Sequence, residues 1–277
     1  MQNTLKTETL IIASNMDPAS LNIAQTIIRH HGFTPLTPQA PDFDFYKGKD
    51  SILVVGTKEC IYVEPEDIPV ESERVIFVSK HKSAQDLPAL TVHATGNLTA
   101  QAKFGGRPEE VSWVDPRVLK RALVSMRQGL SEAGLELEVT MEATHHGPTS
   151  FGSPVSFIEI GSTPKQWTDP VLGEIAAQAT MDAIRLSGTE INTVGFGGTH
   201  YSARHTKLNL ESQYAVGHLV PKHAFDDGMT ASVLKATFQK TTGGCRTALV
   251  DWNGLKGSHR QWLLDKLSDW NIEVVKC

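Results

Sequence analysis

Three stretches of the chain combine an Asp-Pro pair with the apolar spacing of an amphipathic helix. Asp17-Pro18, Asp115-Pro116 and Asp169-Pro170 each supply an N-cap carboxylate and a proline at the first helical position, where its missing N–H costs nothing. We expect a helix after each pair. Glycine positions predict that the helix after Asp17-Pro18 ends at Gly32 and that the helix after Asp169-Pro170 ends at Gly188. Two further helices are predicted over 228–241 and 257–270.

Short apolar or alternating segments between these helices have the composition of β-strands. They cover residues 9–14, 52–55, 74–78, 90–93, 135–141, 155–160, 193–196, 214–220, 247–251 and 272–275. The run 52–55 is apolar on both faces, as in the covered middle of a sheet, whereas 135–141 alternates and is expected nearer an edge. Strands interleaved with helices predict an α/β fold with three α/β/α layers and a mixed, mainly parallel sheet.

We expect a single domain over residues 1–277, because no repeat or low-complexity tract divides the chain. The segment 35–50 carries Pro35, Pro38, Pro41 and Gly48, and we predict that it is a loop insertion. With 40% apolar and 21% charged residues, the composition excludes bulk disorder.

Charge is unevenly distributed along a chain that is acidic as a whole. It has 26 Lys and Arg against 31 Asp and Glu, a net charge of −5, which argues against a DNA- or RNA-binding protein that relies on general electrostatics. Two segments are locally basic: 80–107 sums to +3 and 196–225 to +2. A basic patch beside a site would suit a phosphate-bearing substrate, and a solvated charged face is the alternative.

The three cysteines, Cys60, Cys245 and Cys277, are odd in number and far apart. This argues against a disulfide framework and a thiolate zinc cluster, and it favours a reducing compartment. The apolar runs are far shorter than the roughly 20 residues needed to span a bilayer, and no signal-peptide pattern is visible. The sequence therefore predicts a soluble cytoplasmic protein with no membrane partner.

Seven of the eleven histidines fall in four short segments that also carry glycine, threonine or asparagine: 93–97, 142–149, 195–205 and 217–223. Each segment follows or lies within a predicted strand. Because strand ends at one edge of an open α/β sheet converge on a crevice, we expect a shared polar site there. For any single histidine, a surface or core-edge position is the alternative.

Residues 195–199, Gly-Phe-Gly-Gly-Thr, could turn backbone N–H groups toward a phosphate or an oxyanion. The segment has neither the Walker spacing nor a Rossmann GxGxxG, so a tight turn without a ligand is equally consistent with it. No GxSxG elbow is present, which argues against a serine hydrolase. Cys60 and Cys245 lack the neighbouring histidine that a nucleophilic cysteine requires.

Donors suited to zinc are frequent in the same segments: Glu142, His145, His146, His200 and His205. No HExxH motif is present. On an extended chain His145 and His146 would point to opposite faces, so we expect at most one of them to bind a given ion. Without a metal, one of these imidazoles could serve as a general base near pH 7.

The same residues resemble the D-aminoacyl-tRNA deacylases of the archaeal and plant type. The resemblance extends over nearly the whole chain and is strongest at 93–97, 142–149, 197–207 and 217–223. It implies a cytoplasmic enzyme, monomeric or weakly associating, that cleaves the ester joining a D-amino acid to tRNA. It also implies a zinc requirement and an α/β core similar to peptidyl-tRNA hydrolases and nucleoside phosphorylases.

Roles for individual residues can be inferred for this reaction. The catalytic candidates are His93, Asn97, Glu142 and His200, with the Asn97 amide or the backbone of Gly197 and Gly198 as oxyanion donors. The candidates for binding the substrate and its phosphates are Thr95, Lys103, Arg107, Arg204, Lys207 and Lys222. The candidate zinc ligands are His145, His146 and His205.

Other classes of function remain open at this point. A phosphorylase or nucleosidase of similar fold would act on a free nucleoside and would need no basic path to an RNA acceptor stem. A peptidyl-tRNA hydrolase-like enzyme is a further alternative. A tRNA-binding protein without chemistry would not need a site rich in titratable groups.

Overall fold

The computed structural model of the chain describes residues 4–186 and 188–277, so residues 1–3 and 187 of the predicted domain lie outside the described part. The strands are β1 (Leu5–Ser14), β2 (Thr34–Leu36), β3 (Phe43–Lys47), β4 (Ser51–Gly56), β5 (Val70–His81), β6 (Ala89–His93), β7 (Glu138–Met141), β8 (Val155–Gly161), β9 (Ile191–Phe196), β10 (Tyr214–Val220), β11 (Thr247–Val250) and β12 (Glu273–Lys276). The helices are α1 (Pro18–His30), α2 (Pro116–Glu132), α3 (Pro164–Trp167), α4 (Pro170–Ala183), α5 (Ala203–Glu211), α6 (Lys222–Asp226), α7 (Ala231–Gln239) and α8 (Gly257–Asp269). Two short 3₁₀ turns, Cys60–Tyr62 and Pro65–Asp67, precede β5.

The strands form two sheets. The larger sheet has the order β2-β3-β4-β1-β5-β8-β6-β7, in which β4, β1, β5 and β8 are parallel and β6 runs antiparallel to β8. The smaller sheet, β10-β9-β11-β12, is parallel throughout. The predicted α/β fold with a mixed, mainly parallel arrangement is confirmed. The alternating segment 135–141 lies at the sheet edge as expected, but only its last four residues form the edge strand β7.

Helices cover both faces of the smaller sheet and one face of the larger sheet. α1, α2 and α4 pack against one another and against apolar residues of the larger sheet, such as Ile76 and Ile158. α2 also contacts β10, so it lies between the two sheets, while α7 and α8 cover the far side of the smaller sheet. The outer face of the larger sheet packs on the 3₁₀ turns and on Phe151. The smaller sheet therefore has the predicted three α/β/α layers.

The three Asp-Pro helices begin where the sequence predicts. The carboxylates of Asp17 and Asp169 each accept hydrogen bonds from two N–H groups of the first turn, and that of Asp115 accepts one, from Arg117. α4 ends at Ala183, before the predicted stop at Gly188. No helix in the described part of the chain is long and apolar enough to cross a membrane.

Segment 35–50, which the sequence predicts to be a loop insertion, contains β2 and β3 instead. Phe43 and Phe45 are buried and alternate with the exposed Asp44, and this strand pairs antiparallel with β4. The prolines of the segment obscure this alternation in the sequence. Pro35 is tolerated because β2 is the edge strand of the larger sheet.

Candidate active site

Three neighbouring strands of the larger sheet place polar side chains on one buried face. Glu159 of β8 is paired with Ser79 of β5 on one side and with Thr91 of β6 on the other. Ser79 Oγ donates to Glu159 Oε1 at 2.5 Å, and Thr91 Oγ1 donates to Oε2 at 3.3 Å. His81 and His93 come two residues later on β5 and β6, and side chains two residues apart share one face of a sheet. Both imidazoles therefore lie beside the Glu159 carboxylate.

Glu142 follows β7 and connects the two sheets. Its N–H donates to the carbonyl of Val92 in β6 at 3.0 Å, and it forms an antiparallel bridge with Tyr201, which follows β9. The N–H of Ala143 donates to the carbonyl of His200 at 2.8 Å. These contacts bring His200 and Tyr201, from the smaller sheet, against the polar face of the larger sheet.

The Glu142 carboxylate is buried at the centre of this cluster, with 1% of the residue exposed. Its Oε2 lies 2.8 Å from Nε2 of His200 and 3.8 Å from Nε2 of His145. Its Oε1 lies 3.0 Å from Nδ1 of His81. Burial alone would raise the pKa of Glu142, but the hydrogen bonds from His200 and His81 outweigh it and hold the pKa well below its usual value. Glu142 is therefore ionised at neutral pH.

His81 is the cation of the cluster. Burial would lower its pKa, but its hydrogen bonds to Glu142 and Glu159 raise the pKa to about 10. Its Nε2 lies 2.9 Å from the hydroxyl of Tyr201. With both ring nitrogens protonated, the Nε2–H donates to the phenol oxygen, and the phenol proton remains free for another acceptor. Burial raises the pKa of Tyr201 to about 12, so the phenol keeps that proton.

His145 and His146 lie on the same side of the chain, contrary to the sequence prediction. His146 has φ +43°, in the left-handed region, so the chain is not extended there and the two rings do not diverge. The ring centroids of His145 and His146 are 4.3 Å apart, and they lie 4.2 and 4.8 Å from the ring of His93. Both adjacent imidazoles can therefore contribute to one site.

The three rings are oriented by backbone carbonyls. The Nδ1 atoms of His93, His145 and His146 contact carbonyl oxygens at 3.1, 2.8 and 2.6 Å. At His145 and His146 the contact places the ring proton on Nδ1 and leaves the Nε2 lone pair for a ligand, as in metal-binding histidines. Burial lowers the pKa of His145 well below its usual value and that of His146 to about 4, so both imidazoles are neutral at pH 7.

Donor atoms of the cluster lie close enough together to hold a metal ion. One set whose ligand atoms lie within 4.8 Å of one another is His93, His145 and His146, and a second is Glu142, His145 and His200. Nε2 of His93 makes no regular hydrogen bond with the residues that the structure describes, but it lies 3.8 Å from Oε2 of Glu159. Burial would lower the pKa of His93, but this carboxylate outweighs burial and raises the pKa above its usual value. A third set consists of His81, Glu142 and Glu159, and the ion pairs between the His81 imidazolium and the two carboxylates explain why these groups lie together.

Three cavities meet at the cluster. The first has a volume of about 580 Å³, and six residues of the cluster lie in its wall: His81, Glu142, His145, His146, Glu159 and His200. A second, of about 270 Å³, shares His145, His146 and Phe104 with it. A third, of about 610 Å³, shares His81 and His200 with the first and is also lined by Tyr201. A substrate with several branches could therefore reach the same group of side chains from different sides.

His205 lies outside the cluster. It is fully buried on α5, its Nδ1 contacts Ser202 Oγ at 2.6 Å and its Nε2 contacts the carbonyl of Leu249 at 3.0 Å. With both ring nitrogens occupied, His205 is not available as a zinc ligand, which corrects the prediction from the sequence.

Two further residues of the histidine-bearing segments have structural contacts only. His218 is buried, with Nδ1 at 3.2 Å from Thr144 Oγ1 and Nε2 at 3.1 Å from the carbonyl of Ser112. Thr95 is also fully buried, and its Oγ1 contacts the carbonyl of Pro148 at 2.7 Å. Thr95 is therefore inaccessible to substrate, contrary to its predicted binding role.

The predicted oxyanion donors after β9 are occupied within the protein. The N–H of Gly197 donates to the carbonyl of Val220 at 2.8 Å, and that of Gly198 donates to the carbonyl of Gly254 at 3.2 Å. Both glycines have positive φ, 97° and 78°, so the segment is the tight turn that the sequence left as an alternative. Neither N–H is free for an oxyanion.

The amide of Asn97 is likewise committed to a structural contact. Its Nδ2 donates to the carbonyls of Gly105 and Arg107, at 2.9 and 3.1 Å. This corrects its predicted role as an oxyanion donor, because both amide protons are used. Asn97 instead fixes the loop that carries Lys103 and Phe104 to the wall of the 270 Å³ cavity.

The five basic residues predicted to bind the substrate differ in their surroundings. All five are exposed: Lys103, Arg107, Arg204, Lys207 and Lys222. Lys103 lines the 270 Å³ cavity. Arg107, Arg204 and Lys207 instead lie 3.5, 3.3 and 3.9 Å from carboxylates of neighbouring residues. Of the five, Lys103 is the one that the structure places in a cavity wall.

The cysteines have no part in the cluster. Cys60 lines the 580 Å³ cavity, but it is buried and its Sγ faces the carbonyl of Val78 at 3.7 Å. Burial raises the pKa of the Cys60 thiol far above its usual value and that of Cys245 to about 11. Both thiols are protonated at neutral pH and are poor nucleophiles, as the sequence indicates.

Sequence reasoning missed three members of the cluster: His81, Glu159 and Tyr201. Glu159 carried a usable signal, because a carboxylate between Ile158 and Ile160 in a mainly apolar strand must have a buried partner. His81 and Tyr201 are recognisable only through the pairing of distant strands.

Comparisons with known proteins agree with the resemblance seen in the sequence. The model of the D-aminoacyl-tRNA deacylase family matches residues 68–275. The chain is 43% identical over 211 residues to the D-aminoacyl-tRNA deacylase of Aeropyrum pernix, covering 74% of this chain and 76% of that one. It is 33% identical over 273 residues to that of Pyrococcus furiosus, covering 96% and 99%. The crystal structure of a conserved protein of unknown function superposes with a TM-score of 0.89 at 28% identity, covering 100% of this chain and 96% of the other. This chain belongs to the D-aminoacyl-tRNA deacylase family.

Proposed function

We propose that this protein hydrolyses the ester that joins a D-amino acid to the terminal ribose of tRNA, releasing both products. The observation that carries the proposal is the Glu142–His200 pair at the junction of the cavities in a member of this family. An aminoacyl ester is already activated, so its hydrolysis needs a positioned water, a base and an oxyanion donor more than a covalent nucleophile. The cluster offers candidates for each of these roles.

His200 is the proposed general base. Its Nε2–H donates to the ionised Glu142, so the neutral ring carries its lone pair on Nδ1. As water attacks the ester carbonyl, His200 takes the water proton, and Glu142 stabilises the imidazolium that forms. Collapse of the tetrahedral intermediate breaks the bond to the ribose oxygen, which receives that proton. The amino acid leaves as the carboxylic acid, which loses its proton to solvent, and the tRNA keeps the free hydroxyl.

Tyr201 is the proposed oxyanion donor, in place of the glycine amides and Asn97. Its hydroxyl accepts the Nε2–H of the His81 imidazolium, which leaves its own proton for an oxygen bound in the cavity that it lines. An adjacent cation strengthens such a donor because it favours negative charge on the phenol oxygen and its partner.

We further propose that zinc binds through the Nε2 atoms of His93, His145 and His146. This set is supported by the carbonyl contacts at the three Nδ1 atoms and by ligand atoms that lie within 4.8 Å of one another. The second set would use His200 and so remove the proposed base. A bound zinc would act as a Lewis acid toward the carbonyl or lower the pKa of a water molecule. The rings of His145 and His146 are neutral, and the backbone contacts at Nδ1 orient all three rings for this.

The proposal also places the enzyme in the cytoplasm as a monomer. The cluster is assembled from one chain, since Glu142, His200 and His145 all contact one another within it. Light scattering should give a mass near 30.3 kDa. A mass of about twice this value that does not decrease on dilution would contradict this part of the proposal.

Thin-layer detection of the released amino acid from D- and L-tyrosyl-tRNA tests the reaction. We expect cleavage of the D ester and sparing of the L ester. Equal cleavage of both would refute the stereochemical assignment, and tight tRNA binding without turnover would indicate a non-catalytic protein. Release of a free base from nucleosides, with both esters intact, would indicate the nucleosidase alternative.

A further inference from the structure

We propose that Phe104 stacks on the terminal base of the tRNA acceptor strand and that Lys103 contacts a phosphate of the same strand. This inference rests on the proposed function, because it names how the substrate of that site is held. It comes from an exposed aromatic side chain in a loop that the protein holds in place.

Phe104 is exposed to an extent that packing does not explain. The residue is 62% accessible, and its ring lies at the border between the 580 Å³ and 270 Å³ cavities. Tyr62, 42% accessible, lines the larger of these two cavities. Two exposed aromatic rings beside a buried polar cluster are typical of a surface that receives a planar ligand.

The loop is anchored at Phe104 itself and directly after it. The carbonyl of Phe104 accepts the N–H of Gly147 at 3.0 Å, next to the paired histidines. Gly105 and Gly106 follow with φ +74° and +71°, in the left-handed region. A Cβ at Gly105 would lie 2.1 Å from the carbonyl oxygen of Ile61, so only glycine fits this approach. The ring is therefore presented by a closely packed backbone.

The position of Phe104 matches the geometry of the proposed reaction. The two cavities that it borders both include His145 and His146 in their walls. In aminoacyl-tRNA the ester lies on the ribose of the last nucleotide, so the terminal base must sit one sugar away from the reacting carbonyl. A base stacked on Phe104 would place its ribose toward the histidine cluster.

The charge beside Phe104 suits a nucleic-acid backbone. Lys103 precedes it, is exposed and lines the 270 Å³ cavity, and Lys82 is exposed in the wall of the 580 Å³ cavity. The ion pairs of the described residues involve neither lysine. Aromatic rings combined with free cations are how proteins bind single-stranded RNA, and the acceptor end of tRNA is a single strand.

The test compares two deacylated RNA microhelices that end in CCA, one with an intact terminal adenine and one abasic at that position. Stacking on one aromatic ring typically changes affinity by about tenfold. We expect the wild type to bind the intact RNA about tenfold more tightly than the abasic RNA. Phe104→Ala should bind both RNAs equally, and Phe104→Trp should keep the preference. Because the ring is exposed, neither change threatens folding.

Val171→Ala is the matched control, since Val171 is also an exposed apolar residue, 41% accessible, but lies on α4. It should keep the wild-type preference. On D-tyrosyl-tRNA, Phe104→Ala should raise KM about tenfold and leave the single-turnover rate at saturation near that of the wild type. A tenfold preference that persists in Phe104→Ala overturns the stacking assignment even if the deacylase is active. If the wild type hydrolyses neither ester but its preference for the intact RNA is lost in Phe104→Ala, the stacking assignment is supported. Only the proposed function is then refuted.

Discussion

Nε2 of His200 lies 2.8 Å from Oε2 of Glu142, although the two residues follow strands of different sheets. His200 comes after β9 of the smaller sheet and Glu142 after β7 at the edge of the larger one. The contact is fixed by backbone pairing, because the N–H of Ala143 donates to the carbonyl of His200. The reactive pair therefore exists only while the two sheets are docked.

Replacement of His200 by asparagine should abolish most of the activity with little effect on folding. The side chain is partly exposed and its ring makes one strong contact, to Glu142. Loss of a general base typically lowers the rate by a hundredfold or more. We expect such a loss in single-turnover hydrolysis of D-tyrosyl-tRNA and a melting temperature within a few degrees of the wild type. His30→Asn, an exposed histidine on α1, is the control, and normal turnover by the His200 variant would contradict the assignment.

Glu142→Gln should destabilise the protein as well as inactivate it. The change leaves the buried His81 imidazolium with Glu159 as its remaining carboxylate, and breaking a buried ion pair typically costs about 3–5 kcal/mol. Urea unfolding monitored by circular dichroism measures this loss. Glu71→Gln removes a charge on the surface and should leave the free energy of unfolding nearly unchanged. Equal stability of the two variants would show that Glu142 is not the centre of the buried network.

Local signals in the sequence identify the helices more reliably than the site. Asp17 and its two counterparts mark helix starts because a cap and a proline act within one turn. The division of the strands into two sheets depends on pairing between distant segments, such as β6 with β8, which periodicity does not encode. The strands near Phe45 were hidden by prolines that an edge position tolerates.

The candidate site shows the same limit. His93, Glu142 and His200 are recognisable because polar residues at strand ends tend to converge. The positive φ of His146 turns its ring toward that of His145, and no residue in the segment predicts this backbone conformation. His205 also follows a predicted strand, but it does not join the cluster. Ser202 and a backbone carbonyl form hydrogen bonds with both of its ring nitrogens.

Residues 1–150 and 151–277 should not fold as separate proteins. The first fragment lacks β8, which lies between β5 and β6 in the larger sheet, and the second lacks α2, which covers one face of the smaller sheet. Each fragment would therefore expose a large apolar surface. Proton NMR of the separate fragments should show poorly dispersed spectra, and neither should hydrolyse D-tyrosyl-tRNA. A well-dispersed, active fragment would contradict the single-domain prediction.

His218 should make the fold less stable in acid. Burial lowers its pKa to about 3 in the folded protein, whereas an unfolded histidine titrates near 6.5. As pH falls from about 6.5, the unfolded chain takes up a proton that the folded chain does not, so the free energy of unfolding decreases by up to about 1.4 kcal/mol per pH unit. His218→Gln should show a shallower decrease between about pH 4 and 6 in urea unfolding. His30→Gln is the control for an exposed histidine, and an unchanged slope in His218→Gln would contradict the prediction.

Zinc content should depend on His145 and not on His223. His145 belongs to both candidate ligand sets, while His223 is exposed and lines the neighbouring cavity without joining either set. Elemental analysis of the purified proteins should find zinc in the wild type and in His223→Asn, and little in His145→Asn, because one lost ligand weakens a three-residue site severely. Treatment with a strong chelator should inactivate the wild type, and added zinc should restore its activity. Full zinc occupancy in folded His145→Asn would show that the ion binds elsewhere, and a wild type that is active and free of zinc would refute the metal requirement itself.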